Sequence, residues 1–221
     1  MQPEGDLRHE LDRPAICIVD DDSAIRTSLM DLFDSMEMSA ICFESGDDFL
    51  ARANLGRAGC ILLDIHMPGI DGLAIQRHIT TVKSMLPIVF MTGRATVPLS
   101  VQAMKRGASD FLLKPLDQDE IILATDKAVR RNAERRAQAA EIGGTVAHAK
   151  TLTPREKEVM AYVVKGYLSK QIAHELSVSE MMIKLHRSRM MRKMRVKSLA
   201  ELVKKADLLF KHVEYFSYEN T

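Results

Sequence analysis

Cysteine is scarce in this chain and odd in number, with only Cys17, Cys42 and Cys60 among 221 residues. All three lie in apolar stretches without metal-ligand spacing, so they read as free buried thiols and not as a disulfide framework or a zinc site. Free thiols suit a reducing cytosol. Long apolar runs are missing too: nothing approaches the ~18–20 consecutive apolar residues needed to cross a bilayer. The N-terminal stretch MQPEGDLRHELDRP is charged and unlike a signal peptide. The expectation is a soluble, cytoplasmic protein with no membrane partner. Net charge is nearly absent as well, at +1.

That small sum hides an asymmetry. Residues 1–130 hold 13 Lys/Arg against 20 Asp/Glu, or −7, whereas residues 131–221 hold 18 against 10, or +8. An acidic front and a basic back imply different partners. A chain of 221 residues with 46% hydrophobic residues has material for two modest cores.

The front half alternates. Five short β-rich apolar runs, at 15–19, 39–43, 60–63, 88–91 and 110–113, are separated by helix-like segments near 23–36, 46–54, 71–81, 97–106 and 117–134. Five βα units argue for a five-stranded doubly wound parallel sheet, in which ligands sit beyond the C-terminal strand ends. Reactive residue types cluster at those ends. The first run ends in Asp20-Asp21-Asp22, the third in Asp64, the fourth in Thr92 and the fifth in Lys114-Pro115. Adjacent carboxylates are costly to hold together unless a cation neutralises them, and an all-oxygen set suits Mg²⁺. Asp64 can then act as nucleophile toward a phosphoryl group, with Thr92 and Lys114 answering its oxygens. Pro68-Gly69 and Asp71-Gly72 are turn formers after the Asp64 strand, and Gly93 is expected to leave space beside Thr92. Asp22 suits an N-cap of the first helix.

VDDDSAIR, LLDIHMPGIDG, MTGR and FLLKP, at these separations, resemble the receiver domain of bacterial two-component response regulators, over residues 14–130. The resemblance implies a CheY-like fold, Asp64 as phosphoacceptor, and Mg²⁺ or Mn²⁺ held by Asp20, Asp21, Asp64 and the main-chain carbonyl of His66. It makes Thr92 and Lys114 the phosphate-sensing pair; Lys114-Pro115 invites the cis peptide that aims the lysine inward in this family, although trans is the commoner state of X-Pro bonds in general. Phe111 matches the family's aromatic switch position, although an ordinary strand-core phenylalanine would look the same. His66 and Arg94 stand where receivers modulate access of the hydrolytic water.

From Lys127 to Ile142 the chain is rich in Ala, Arg and Glu, all good helix formers, and Gly143-Gly144 is expected to end that helix. Without a sustained apolar heptad, a solvated single helix is favoured over a coiled coil. Residues 131–149 read as a helical linker, with a flexible joint over 145–150. Thr153, Pro154 and Glu156 then supply an N-cap, a first helical residue and a capping box. Gly166 closes that helix, residues 169–176 form a short one, 177–179 a turn and 180–195 a longer one. Ser198 with Glu201 opens a last helix carrying Leu199, Leu202, Val203, Ala206, Leu209 and Phe210 as an apolar stripe. Four helices with a short pair in the middle read as an extended helix-turn-helix.

On the longer helix Ile183, Met190 and Met194 face one side, while Met181, Lys184, Leu185, Ser188, Arg192 and Arg195 face the other. Residues 181–205 hold nine Lys/Arg against Glu201 alone, so the second face suits a DNA major groove. LTPREKEVM, the helix around Gln171-Ile172-Ala173, IKLHR, RKM and SLAEL resemble the output domain of the FixJ/NarL, or LuxR-type, response regulators, over residues 150–212. By that resemblance Lys184, Leu185 and Ser188 face the bases, and Lys170, Arg187 and Arg192 are candidates for phosphate contacts. Ser169 stands where the family often has Asn, and Met182 where it often has Thr.

The whole chain therefore reads as a phosphorylation-controlled transcription regulator, enzymatic only toward itself. The resemblance implies a sensor histidine kinase, double-stranded promoter DNA and RNA polymerase as partners, homodimerisation on phosphorylation, and activation of transcription. Residues 1–13 and 213–221 are an extension and a tail without a readable role. A constitutive DNA-binding protein with a docking-only receiver is the first alternative. An Mg-dependent aspartyl-phosphate hydrolase is the second, but such enzymes need an aspartate where His66 stands.

Overall fold

The computed structural model describes residues 15–94 and 96–212, so the extension over 1–13 and the tail over 213–221 lie outside the described residues. The chain divides into two compact units, Met1–Arg135 and Arg136–Thr221.

In the first unit β1 (Ala15–Val19), β2 (Ala40–Phe43), β3 (Ala58–Asp64), β4 (Ile88–Thr92) and β5 (Asp110–Leu113) form one parallel sheet in the order β2-β1-β3-β4-β5. Helices α1 (Ser23–Ser35), α2 (Gly46–Arg52), α3 (Gly72–Thr81), α4 (Val97–Lys105) and α5 (Gln118–Lys150) follow the strands in turn. Parallel strands are covered on both faces, and their alternating side chains feed two cores. Along β3, Ile61 and Leu63 join one core with Phe43, Phe49, Ile75 and Phe90. Cys60 and Leu62 join the other with Phe33, Met91 and Ala128. Asp22, Ser45, Asp71 and Thr96 each accept a backbone N–H at the start of the helix they precede, which fixes where the first four helices begin. The cysteines are free, and burial pushes the thiols of Cys17 and Cys60 up to about 11 and about 12.

The expectation that Gly143-Gly144 ends the long helix is overturned, because α5 runs unbroken to Lys150. Residues 145–150 are therefore helical and not a flexible joint. Each glycine costs an exposed helix up to about 1 kcal/mol against alanine. Packing offsets that cost: Thr145 and Ala149 are buried, and Val146 and Ala149 join the core of the second unit. Earlier in α5, Ile121, Ala124 and Ala128 pack on the sheet, and Asn132 Nδ2 donates to the carbonyls of Ala58 at 3.1 Å and Gly59 at 2.8 Å.

The second unit carries α6 (Pro154–Val164), α7 (Ser169–Glu175), α8 (Glu180–Lys193) and α9 (Leu199–His212). The Thr153/Glu156 capping box is present and Pro154 opens α6. Gly166, at φ +89°, follows its end. Val159, Met160, Val163, Ile172, Ile183, Met190, Met194 and Leu202 form the core. Buried Glu156 also accepts from Lys193 Nζ at 2.6 Å, tying the start of α6 to the end of α8. That tie and the Thr153 backbone hydrogen bond outweigh burial, which alone would raise the carboxyl's pKa, and hold it below its ordinary value. Helix α8 stops at Lys193, two residues before the expected Arg195, which takes the left-handed conformation at φ +51°. Lys205 Nζ then donates to the Met194 carbonyl at 2.9 Å, a C-terminal cap lent by α9. At Ser198 the expected box is half formed: its hydroxyl accepts from Glu201 N, but Glu201 reaches one residue further back, to Lys197 N.

No helix among the described residues is long and apolar enough to cross a membrane.

Candidate functional site

The C-terminal ends of β1, β3, β4 and β5 bring Asp20, Asp64, Thr92 and Lys114 together at one end of the sheet. Asp20 is fully buried, Asp64 nearly so, and Asp21 is exposed. One carboxylate oxygen from each of Asp20, Asp21 and Asp64 lies within 4.8 Å of the others, an all-oxygen cluster of the kind that holds a hard divalent cation. Lys114 Nζ donates to Asp20 Oδ2 and to Asp64 Oδ2, both at 2.7 Å. The Lys114-Pro115 peptide is cis.

Main-chain donors orient the two buried carboxylates. Asp22 N–H donates to Asp20 Oδ1 at 3.0 Å, and His66 N–H donates to Asp64 Oδ1 at 3.1 Å. Burial raises the Asp20 pKa, more than the Lys114 hydrogen bond lowers it. For Lys114 the balance is reversed: burial works to lower its pKa, but the hydrogen bonds to Asp20 and Asp64 raise it overall and keep the ammonium charged. A charged lysine between two carboxylates can answer the negative oxygens of a group transferred to either of them.

The approach of α3 to β3 depends on a glycine. A Cβ on Gly72 would lie 2.3 Å from the Asp64 carbonyl, so no larger residue fits that helix start. Gly93, expected to leave space beside Thr92, faces nothing within 4 Å and meets no such steric demand. Thr92 is buried and its hydroxyl oxygen accepts from Arg94 N–H at 3.2 Å. His66 Nδ1 lies 3.1 Å from the same oxygen, a contact the sequence reading missed because it joins the ends of two different strands. Phe111 is half-buried against the core that contains Phe90.

The second unit presents a separate candidate surface for nucleic acid. Ile183, Met190 and Met194 are buried, while Met181, Lys184, Leu185, Ser188, Arg192 and Arg195 are exposed, as helical spacing demands. Lys170 on α7 is exposed, and Arg187 is half-buried. Ser179 caps α8 and Ser177 makes the preceding turn at φ +51°. Lys184 pairs with Glu180 at 2.8 Å. On α9, Leu202, Ala206 and Leu209 are buried but Leu199, Val203 and Phe210 remain exposed, so the apolar stripe is divided between core and surface.

Residues 16–126 match the family model described as response regulator receiver domain, and residues 150–206 match that of bacterial regulatory proteins, luxR family. The response regulator protein TodT of Pseudomonas putida is 37% identical over 204 residues, covering 92% of this chain and 90% of TodT. The transcriptional regulatory protein FixJ of Bradyrhizobium diazoefficiens is 38% identical over 194 residues, covering 86% and 93%. Among solved structures, that of the response regulator StyR superposes with a TM-score of 0.83 at 35% identity, covering 88% of this chain and 98% of StyR.

Proposed function

Since the chain belongs to the two-component response regulators that join a receiver to a luxR-type transcriptional output domain, we propose that phosphorylation of Asp64 controls its binding to promoter DNA. The receiver takes residues 14–130, the helical linker 131–149 and the DNA-binding domain 150–212. Asp64 attacks the phosphorus of a phosphohistidine on a sensor kinase; the new oxygen–phosphorus bond forms as the phosphorus–nitrogen bond breaks, and the electron pair leaves with the imidazole. Asp20, Asp21, Asp64 and the His66 carbonyl would hold Mg²⁺ or Mn²⁺, which when bound offsets charge on the phosphoryl oxygens. Lys114, already hydrogen-bonded to Asp64, turns its ammonium to those oxygens.

Thr92 then donates its hydroxyl proton to the phosphoryl group and, with Phe111, shifts the receiver toward a dimerising state. Helix α4 offers exposed Val97, Val101 and Met104 for that contact. Leu199, Val203 and Phe210 on α9 serve to pair output domains. Helix α8 enters the major groove with Lys184, Leu185 and Ser188 toward base edges, while Lys170, Arg187 and Arg192 take phosphates. Met182 lacks the hydroxyl that a threonine would lend to phosphate anchoring. The output is activation of transcription through RNA polymerase, in the cytoplasm.

The observation that carries this reading is the Lys114 ammonium shared between Asp20 and Asp64 at the C-terminal strand ends. The test is DNA affinity and oligomeric state of the full chain with and without beryllofluoride plus Mg²⁺. Tighter DNA binding and a dimer are expected with the mimic, and Asp64→Ala should respond to neither. Equal affinity under both conditions would leave a constitutive DNA-binding protein with a docking receiver.

A further inference from the structure

A hydroxyl carries one proton, and the Thr92 hydroxyl has two neighbours competing for its geometry. Arg94 N–H already donates to its oxygen at 3.2 Å, and His66 Nδ1 stands 3.1 Å from the same oxygen. In the tautomer that carries its proton on Nε2, the ring presents Nδ1 as an acceptor, and the hydroxyl proton can then point to it while Arg94 N–H occupies a lone pair of the oxygen. We infer that His66 is a positioning residue of the switch: in the unphosphorylated protein its imidazole accepts the Thr92 proton, and a phosphoryl group on Asp64 must draw that proton away before the switch responds.

The inference rests on the phosphoacceptor reading above. His66 stands two residues after Asp64, and its main-chain N–H orients the Asp64 carboxylate at 3.1 Å. The backbone thus serves Asp64 while the side chain serves Thr92. The ring is exposed, whereas Thr92 is fully buried, so the ring can swing out into water once its partner is withdrawn. Releasing one neutral hydrogen bond shifts an equilibrium by roughly two- to tenfold. That is enough to set the threshold of the switch but too little to abolish it.

The experiment is a titration of the full chain with beryllofluoride and Mg²⁺, followed by ¹⁹F NMR for affinity and by sedimentation for the dimer fraction. His66→Ala keeps the backbone atoms and loses the acceptor. It should bind beryllofluoride roughly two- to tenfold more tightly and dimerise at lower concentrations of it. His66→Asn, whose amide oxygen can take the same proton, should return the affinity toward the parent's value. Thr92→Val keeps the shape without the hydroxyl, and adding His66→Ala to it should change nothing further. An unchanged affinity in His66→Ala overturns the inference. So does the same gain in the Thr92→Val background, since the ring would then merely obstruct entry. Failure of the parent itself to bind beryllofluoride would instead defeat the phosphoacceptor reading.

Discussion

Asp20 sits in an environment that conflicts with its charge. It is fully buried, and burial raises its pKa despite the ammonium of Lys114. A carboxyl with a raised folded-state pKa favours folding once the pH falls through that value, and weighs against folding above it. Burial of this carboxylate therefore costs the fold stability that a neutral side chain of the same shape would not. Asp20→Asn should raise the thermal midpoint at pH 7, with the advantage shrinking as the pH is lowered through the raised value. It should also weaken Mg²⁺ binding by at least roughly tenfold. Thermal unfolding across pH with a parallel Mg²⁺ titration decides it; a lower midpoint at pH 7 would mean that Lys114 needs both carboxylates to stay folded. Asp20, Asp64, Thr92 and Lys114 were legible in the sequence because each ends an apolar run. The His66–Thr92 contact and the Glu156–Lys193 pair were not, since nothing in local spacing brings 66 to 92 or 156 to 193.

At the scale of elements, α8 shows what periodicity can and cannot reveal. Its buried and exposed faces follow from a turn of 3.6 residues, so Ile183 and Met190 fall to the core and Lys184 and Ser188 to the surface. Ser179 caps its start locally, but its C-terminal end depends on partners elsewhere in the chain. Lys205 caps it from α9, and Glu156 reaches it from α6. The proposed groove pose separates two lysines. Lys184→Ala should cost about 1–3 kcal/mol on the cognate site and blur preference at one position. Lys170→Ala should weaken cognate and random DNA alike and make the log–log salt slope shallower by about one unit. Titrations of both variants on cognate and scrambled duplexes across several salt concentrations separate the two roles. Equal loss of specificity from both, or from neither, would remove α8 as the reading helix in that pose.

For the whole molecule, the two-unit layout was legible from the alternation of the front half and the charge asymmetry, but the course of α5 was not. Gly143 and Gly144 carry a strong local stop signal, and packing of Thr145, Val146 and Ala149 overrides it. A Cβ at either glycine would meet nothing within 4 Å. Gly143→Ala and Gly144→Ala should therefore each stabilise the protein by about 0.5–1 kcal/mol, read as a higher midpoint in denaturant. No gain from either would mean that the stretch is not held as helix in solution.

The lysine shared by two aspartates also fixes an arithmetic of valence. With all three carboxylates ionised, Asp20, Asp21 and Asp64 bring three formal negative charges and Lys114 one positive, leaving −2 at the mouth of the sheet. A monovalent ion leaves the pocket anionic and a trivalent one makes it cationic. Only a 2+ ion brings that formal sum to zero, which is the balance that the phosphoryl transfer proposed above would call for.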